Sequence, residues 1–489
     1  MIKLYLKKSL SPLSQSIPKR KVYLLSPKEF SPEKIAVTFA KTSRSPLSFR
    51  EIAEELSDEK SAEFHEKWVV GYGHASVAEH AVLHVAIENV SRLAVECIES
   101  NRLASYTEKS TRYQKWDLDD FYIPPELEGH RLRDDYVQTC RMLFNTYTDA
   151  LESARDLVEK LAPRHSNEEK EAWDRRIRSQ YVDVCRFLLP AASLANLGMT
   201  ANARLLENAV RKMLSHPLSE VRQIGKQVKA AVKSEVPTLV KYAQAVPYLV
   251  DTRREFENQD IALQAPSNKG IRWCELVDYD HEGEVKVLAA VLFRFGDMSY
   301  TQALERIQSC STEEREQLVK SLLGRLRRYD IPLRELEYAT YTFDLVMDQG
   351  AYFEFKRHRM MTQTPQTLNT HLGYTVPRCI VEAGFEERYR QAMEAVKITY
   401  EELAEWNPHV AAYVVPNGYK RRILAKLNLR EVYHFCQLRA AANAHFSIRR
   451  VALRVAEEIQ RVHPSLARFM HLPEGESWRG IEEVNFTEV

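Results

Sequence analysis

The chain has 489 residues, of which 44% are hydrophobic and 28% are charged, and its formal net charge is +1. These values are typical of an ordinary globular protein with enough residues for two or three domains. The balanced charge excludes a protein-wide positive field, so it argues against nucleic acid and anionic membranes as partners.

The composition also limits the fold class and the kinds of site that the protein can have. Only 15 glycines occur, which disfavours an all-β fold with many tight turns, and helix-forming residues dominate instead. The seven cysteines are scattered without a CxxC pair, so neither a disulfide framework nor a zinc site is predicted. The basic N-terminus lacks the apolar core of a secretory signal, and no run approaches the ~18 apolar residues of a membrane helix. A cytoplasmic protein is expected.

The hydrophobic pattern of the first half predicts mainly helices. The predicted elements are, in chain order, a strand at Ile35–Phe39, short helices at Ser48–Leu56 and Lys60–Val70, a helix at Glu79–Ile98, a long amphipathic helix at Leu132–Lys160, and a helical block at Val182–Met213. Residues 214–245 are predicted to be helical, and Pro247–Gly270 is predicted to be a linker.

After the linker the same order of segments begins again. Residues 34–56 have a counterpart at 285–307, which lies 251 positions later. Residues 79–90 match 337–348, and residues 185–213 match 411–439 at an offset of 226. Matches in the same order along the whole chain indicate an internal duplication. We therefore predict a first repeat at 1–250, a linker at 251–270 and a second repeat at 271–489.

The triplet Arg357-His358-Arg359 follows an apolar, aromatic run and indicates an anion site at the end of an element. Guanidinium groups bind phosphates and carboxylates through paired hydrogen bonds and keep their charge. An isolated triplet of this kind is more often a solvated basic turn. The first half, however, has Ser100-Asn101-Arg102 at the equivalent positions. In both halves seven residues separate the triplet from a hydroxyl residue, Ser110 in the first and Thr367 in the second.

Together these two stretches resemble the signature of the flavin-dependent thymidylate synthases, which is RHR, seven residues and then Ser. The resemblance covers nearly the whole chain as two tandem copies. It implies an α+β fold made of two fused, helix-rich domains with small β-sheets.

The two copies retain different parts of the family's site. Residues that match one side of the nucleotide pocket occur in the first copy: Glu108, Ser110, Arg112, Tyr113 and Arg186. Their counterparts are Pro365, Thr367, Asn369, Thr370 and Ala412. Residues that match the opposing side occur in the second copy: Arg357, His358, Arg359, Asn428, Arg430 and Arg439. One complete set therefore remains, which predicts a composite site built from both halves, within one chain or between two.

The resemblance also implies roles for these residues. Ser110 and Arg439 would be catalytic, and Glu108, Arg112, Tyr113, Arg186 and Arg357 would bind the substrate. Arg357, His358, Arg359, Asn428, Arg430 and His434 would hold FAD. The segment GHASVAEH resembles a further family segment, with His74, Ser76 and Glu79 as additional cofactor contacts. An alternative for this segment is structural, with Ser76 capping the next helix and Glu79 completing a capping box.

The implied activity is the reductive methylation of dUMP to dTMP with FAD, methylenetetrahydrofolate and NADPH, in a homodimer that forms a pseudo-tetramer of repeats. No metal is implied. Two departures keep alternatives open: Glu354 stands where the family usually has Gln, and His434 where it has Asn. The alternatives are a flavin- or nucleotide-binding scaffold without activity, or one-carbon transfer to another pyrimidine nucleotide. The basic stretch at 420–431 leaves nucleic-acid binding as a minor option.

Overall fold

The computed structural model describes residue 23 and residues 25–42, 45–71, 75–112, 114, 116–258 and 272–488. These residues divide into two compact units. The first unit comprises the chain up to Leu83 together with Asn202–Arg204 and Val232–Lys241, and the second comprises the remainder. Both halves of the chain contribute to the second unit. Within these ranges no helix is both long and apolar enough to cross a membrane.

The first unit is helical and has a small apolar core. Its elements are α1 (Pro32–Thr42), α2 (Phe49–Glu55), α3 (Asp58–Phe64), a π-helical turn (His65–Gly71) and a 3₁₀ turn (Ala75–His80). Val37, Ile52 and Leu56 form the core. Helix α2 begins where the Ser48 side chain accepts a hydrogen bond from the Glu51 amide, in a complete capping box.

The remaining elements alternate between helices and short strands. The first half continues with β1 (Val82–Ser91), α4 (Arg92–Glu99), β2 (Ser105–Glu108), α5 (Arg133–Leu161), α6 (Lys170–Cys185), β3 (Leu194–Asn202), α7 (Ala203–Leu214), α8 (Ser219–Val232) and α9 (Pro247–Asn258). The second half contains β4 (Cys274–Tyr279), α10 (Gly283–Phe295), α11 (Tyr300–Ser309), α12 (Thr312–Leu323), β5 (Thr340–Asp348), α13 (Gln349–Phe355), β6 (Thr362–Pro365), β7 (Val376–Pro377), α14 (Arg378–Glu382), α15 (Glu386–Trp406), α16 (Pro408–Ala411), β8 (Lys420–Asn428), α17 (Leu429–Ala440), α18 (Phe446–Val462), α19 (Pro464–Ala467), α20 (Trp478–Asn485) and β9 (Phe486–Glu488). Short 3₁₀ turns lie at Pro125–Leu127, Arg186–Leu188, Arg334–Tyr338 and Ala412–Val414.

Each half has a small sheet, and the two sheets follow the same plan. The described strands have the order β1-β3-β2 in the first half and β4-β5-β8-β6 in the second. Strand β3 is antiparallel to β2, and β8 is antiparallel to both β5 and β6. The core of the second half lies between its sheet and helices α13, α17 and α18, with Phe343, Tyr433 and Val451 among its buried residues.

The element boundaries confirm the predicted duplication. Strand β3 and helix α7 begin 226 positions before β8 and α17, and α1 and α2 begin 251 positions before α10 and α11. Helices α2 and α11 even share the same capping box, at Ser48 and Ser299. The α+β fold of two related, helix-rich halves is therefore confirmed.

The two halves meet through reciprocal backbone contacts around Pro190 and Pro416, which form a bridge with each other. These prolines are 226 positions apart, so each is the counterpart of the other. The Ala191 amide donates to the Val415 carbonyl at 3.0 Å, and the Asn417 amide donates to the Leu189 carbonyl at 3.0 Å. Each bond is the counterpart of the other, because its donor and its acceptor both lie 226 positions from those of the other bond. A local two-fold axis thus relates the halves, as in an isologous dimer interface.

Three predicted elements were wrong. The predicted strand Ile35–Phe39 lies inside helix α1, and the predicted helix Glu79–Ile98 is strand β1 followed by α4. The predicted helical block Val182–Met213 contains strand β3. The long helix was predicted correctly to within one residue at each end. Of the predicted linker, residues up to Asn258 form α9, and residues 259–271 lie outside the described part of the chain.

Candidate functional site

A cavity of about 260 Å³ lies where the two halves of the second unit meet. Five chain segments reach it: the start of α4, the residues after β2, the end of α6, the end of α13, and the last turn of α17 with the residues that follow it. Its lining residues are Arg92, Lys109, Ser110, Thr111, Arg112, Arg186, Phe353, Glu354, Arg357, Leu438, Arg439, Asn443 and Ala444. Ser110, Arg112 and Arg186 from the first half therefore face Arg357 and Arg439 from the second half within one chain.

The charge of the lining is strongly asymmetric. Five arginines and Lys109 line the cavity, and Glu354 is the one acidic side chain among the described lining residues. Guanidinium groups that converge on a partly enclosed space attract anions, because the low-dielectric walls focus their field. The volume is close to the ~300 Å³ lower bound of ordinary small-ligand sites, so one compact anion fits.

Glu354 bridges two of these arginines. Its Oε1 lies 3.4 Å from Nη2 of Arg186, and its Oε2 accepts a hydrogen bond from Nη1 of Arg439 at 3.1 Å. Arg186 is only 4% exposed and its Nε has no hydrogen-bond partner among the described residues. The carboxylate therefore compensates the buried Arg186 and the partly buried Arg439, and it also competes with any anion that enters.

Arg112 is oriented by Asp183 at the end of α6. Its Nε donates to both carboxylate oxygens, at 2.9 and 3.1 Å, and its Nη2 donates to Oδ2 at 2.7 Å. Its Nη1 donates to the carbonyl of Asn443 in the second half at 2.9 Å. A two-pronged pair of this kind fixes the plane of the guanidinium, which lysine could not reproduce.

Arg357 is held by a buried carboxylate from the other half. Glu108 pairs with Arg92 at 2.9 Å and with Arg357 at 3.3 Å. Burial alone would raise the pKa of Glu108, but the charges of Arg92, Lys356 and Arg357 outweigh it and lower the pKa below its ordinary value. Glu108 is therefore ionised and fixes the position of Arg357, whose side chain is 44% exposed.

His358 is a neutral ring with a defined tautomer. Arg439 donates from Nε to Nε2 of His358 at 2.9 Å, and a guanidinium can only donate, so Nε2 carries no proton. The proton therefore resides on Nδ1, which faces Oε1 of Glu431 at 3.3 Å. Burial, reinforced by the charge of Arg439, lowers the pKa of His358 well below its ordinary value. His358 thus positions Arg439 without competing for charge.

The other predicted FAD contacts are not gathered in the 260 Å³ cavity. Asn428 caps α17 by accepting from the Glu431 amide at 2.9 Å, and Arg430 pairs with Glu337 at 2.9 Å. His434 is exposed, with its ring centre 5.4 Å from that of His358. Arg359 donates to the carbonyl of Ala104 and lines a different cavity.

The predicted contacts around GHASVAEH belong to the first compact unit or are not described. Ser76 and Glu79 are exposed on the 3₁₀ turn, and Glu79 pairs with Arg204. The helix that they were predicted to begin is strand β1, so the alternative capping box was wrong. His74 and Tyr113 lie outside the described residues.

The exposed residues beside His358 are compatible with FAD. Arg357 and His434 are exposed, and the His434 ring centre lies 5.4 Å from that of the buried His358, so a cation and an aromatic ring are both accessible. A flavin is planar and its diphosphate is anionic, so both kinds of contact suit it.

Seven lining residues were not predicted: Arg92, Lys109, Thr111, Phe353, Leu438, Asn443 and Ala444. Arg92 is 2% exposed, and its guanidinium carbon lies 4.0 Å from the Phe353 ring centre. The signal that could have identified Arg92 is its position as a single arginine between apolar runs. Such an arginine is expected to be buried, and a buried cation needs a charged partner. All seven cysteines are free, and none lines this cavity.

Comparison with known proteins finds one family in both halves of the chain. The sequence model of the family described as thymidylate synthase complementing protein matches residues 27–238 and 275–465. A UPF0159 protein of Chlamydia muridarum is 33% identical over 436 residues, which cover 85% of this chain and 82% of that protein. A UPF0159 protein of Thermoplasma acidophilum is 27% identical over 84% of this chain and 89% of its own length. The flavin-dependent thymidylate synthase of Clostridium tetani is 31% identical over 218 residues, which cover 44% of this chain and 82% of that protein.

Proposed function

Since the chain belongs to the flavin-dependent thymidylate synthase family, we propose that it converts dUMP to dTMP, with methylenetetrahydrofolate as one-carbon donor and NADPH as reductant. The observation that carries the proposal is the 260 Å³ cavity, where the residues retained in each half meet. Each half alone lacks part of the family's set, and the composite cavity holds a complete anion-binding group.

Arg112, Arg186 and Arg357 would bind the phosphate of the nucleotide. Asp183 fixes the first of them and Glu108 the third, so these two guanidinium groups are held in place before the ligand arrives. Such preorganisation reduces the entropy that is lost on binding.

Ser110 would contact the nucleotide near its reacting ring. Its oxygen already accepts from the Arg112 amide at 3.2 Å, so its proton is available to a ligand. Arg439 is held through Nε and Nη1, and Nη2 could stabilise negative charge on a uracil oxygen as hydride is added.

FAD, when bound, supplies the redox chemistry and relays the one-carbon unit to the nucleotide, as the family implies. His358, Asn428, Arg430, His434 and Arg357 would hold it, and His74, Ser76 and Glu79 remain predicted contacts. Arg359, which was predicted with them, lines a different cavity. Tyr113 remains a predicted substrate contact.

The repeats 1–250 and 271–489 would each correspond to one family subunit, joined by a linker at 251–270. A homodimer of this chain would then be equivalent to four such subunits, with one composite site per chain. We propose a cytoplasmic location, in keeping with seven free cysteines.

The second candidate is a nucleotide-binding protein without synthase activity. Glu354 favours it over a synthase, because this carboxylate already occupies Arg439, the residue that would stabilise charge on the reacting ring. Glu354 in place of the family's usual Gln would also be compatible with another pyrimidine nucleotide as the substrate.

The purified protein distinguishes these candidates. A synthase should purify yellow with FAD, should bleach with NADPH under anaerobic conditions, and should rescue a thymidine-requiring strain. Nucleotide binding without bleaching and without rescue would support the silent protein instead. Rescue must be lost in Ser110→Ala and in Arg357→Ala and kept in Arg141→Ala, an exposed arginine paired with Asp119.

A further inference from the structure

A second and larger cavity, of about 900 Å³, lies at the positions that the internal two-fold makes equivalent to the first. Ser100, Thr367 and Ala412 line it, at the positions equivalent to Arg357, Ser110 and Arg186. Small side chains in place of two arginines leave room that the first cavity lacks. The second cavity therefore lacks the counterparts of Arg357 and Arg186, which would bind the phosphate of a nucleotide monophosphate in the first cavity.

This second cavity nevertheless remains cationic. Seven arginines and lysines line it against three glutamates. Three of the cations are compensated within the protein: Lys356 pairs with Glu99 at 2.8 Å, Arg421 with Glu96 at 2.8 Å, and Arg211 with Glu207 at 4.0 Å.

Four other cations have no carboxylate within ion-pair distance among the described residues. They are Arg102, Lys212, Arg253 and Arg359, which bond only to neutral oxygens, and they come from both halves of the chain. Lys212 donates to Ser100 Oγ at 2.5 Å and to Asn101 Oδ1 at 2.9 Å, and burial lowers its pKa. Grouped cations with no counter-charge favour a polyanionic ligand.

The cavity also has an apolar wall, which includes Leu218, Val246, Leu249 and Met361. A planar base can pack against such a wall while its phosphates face the cations. One phosphate monoester carries at most about two negative charges, fewer than four cations can compensate. The volume is near the ~1,000 Å³ upper bound of small-ligand sites, which also favours a ligand larger than a monophosphate.

We propose that the 900 Å³ cavity is a separate binding site for a nucleoside triphosphate, distinct from the substrate and flavin site. The phosphates contact Lys212, Arg253, Arg102 and Arg359, and the base lies against the apolar wall. This inference does not rest on synthase activity, because the cations and the wall are independent of the first cavity.

Isothermal titration calorimetry on the full chain tests it, with saturating FAD and dUMP present throughout. The titrants are dTTP, ATP and inorganic tripolyphosphate. We expect one equivalent of a nucleoside triphosphate to bind per chain, at least tenfold more tightly than tripolyphosphate. Lys212→Gln and Arg253→Gln should each weaken binding at least tenfold, while Arg141→Ala, at an exposed arginine outside both cavities, should leave it unchanged.

The proposal is overturned if neither nucleotide binds, if saturating FAD or dUMP prevents binding, or if tripolyphosphate binds equally well. It is also overturned if the Gln variants bind like the wild type. Should Lys212→Gln fail to fold, the exposed Arg102→Gln provides the same readout, and a thermal melt verifies the fold of each variant.

Discussion

Arg357 donates a hydrogen bond from Nη2 to Oε2 of Glu108 at 3.3 Å, across 249 positions of sequence. The carboxylate comes from the half that has lost the basic triplet, and the arginine comes from the half that has lost the carboxylate. A contact between two retained residues explains why both losses are tolerated: one composite cavity needs only one copy of each.

Glu108→Gln should destabilise the protein, because it removes the negative charge between the buried Arg92 and Arg357. Leaving a buried cation uncompensated typically costs about 3–5 kcal/mol. Urea unfolding measures the loss, and activity should fall with it because Arg357 loses its anchor. Asp119→Asn breaks the exposed pair with Arg141 and should cost less than about 1 kcal/mol. Equal costs for the two variants would contradict the assigned role of Glu108.

Glu354→Gln should tighten the binding of dUMP. The change removes the one carboxylate among the described lining residues and releases Arg186 and Arg439 toward the ligand. A roughly tenfold decrease in Kd, or about 1.4 kcal/mol, is expected from calorimetric titration. Weaker binding by Glu354→Gln, with an unchanged melting temperature, would mean that Glu354 itself contacts the nucleotide.

The free energy of unfolding should decrease as the pH falls below about 6.5, the ordinary pKa of histidine. Burial lowers the pKa of His358 well below that value, and the pKa values of His445 and His65 shift in the same direction. The unfolded chain then binds protons that the folded chain does not, so stability is present above pH 6.5 and is lost below it. His358→Gln should reduce the slope by up to about 1.4 kcal/mol per pH unit. An unchanged slope would show that His358 is protonated in the fold.

Ser110→Ala should lower kcat by about 10²-fold, the cost of one lost hydrogen-bond donor at a reacting group. Ser153→Ala is the matched control, because the Ser153 hydroxyl bonds only to the Asp149 carbonyl of its own helix. Steady-state kinetics with dUMP measure both variants. If Thr367→Ala abolished activity while Ser110→Ala did not, the functional and the degenerate positions would have to be exchanged.

The duplication and the composite set could be predicted from the sequence because counterparts align residue by residue. The β1 region could not, because its apolar residues also fit a helical period over a short window. In the structure Leu83, Val85 and Ile87 are buried on alternate positions, which is the two-residue period of a strand. The converse error at Ile35–Phe39 arose because a five-residue apolar run does not distinguish a strand from a buried helical turn.

Arg92 was missed for a different reason. Its partner Glu108 lies on another element, and only the packing of α4 beside β2 brings the two charges together. The second cavity could not be predicted from the sequence either. Small residues line it where the first cavity has arginines, and its cations come from five separate chain segments that only the fold brings together.

Co-expression of two inactive variants tests the central claim, that each chain builds its own composite site. Ser110→Ala and Arg357→Ala chains, with different affinity tags, are purified as mixed dimers and assayed for dTMP formation. If the cavity forms within one chain, both chains remain inactive and mixing restores nothing. Restored activity, approaching half that of the wild-type dimer, would contradict the account, since it requires Ser110 of one chain to meet Arg357 of the other.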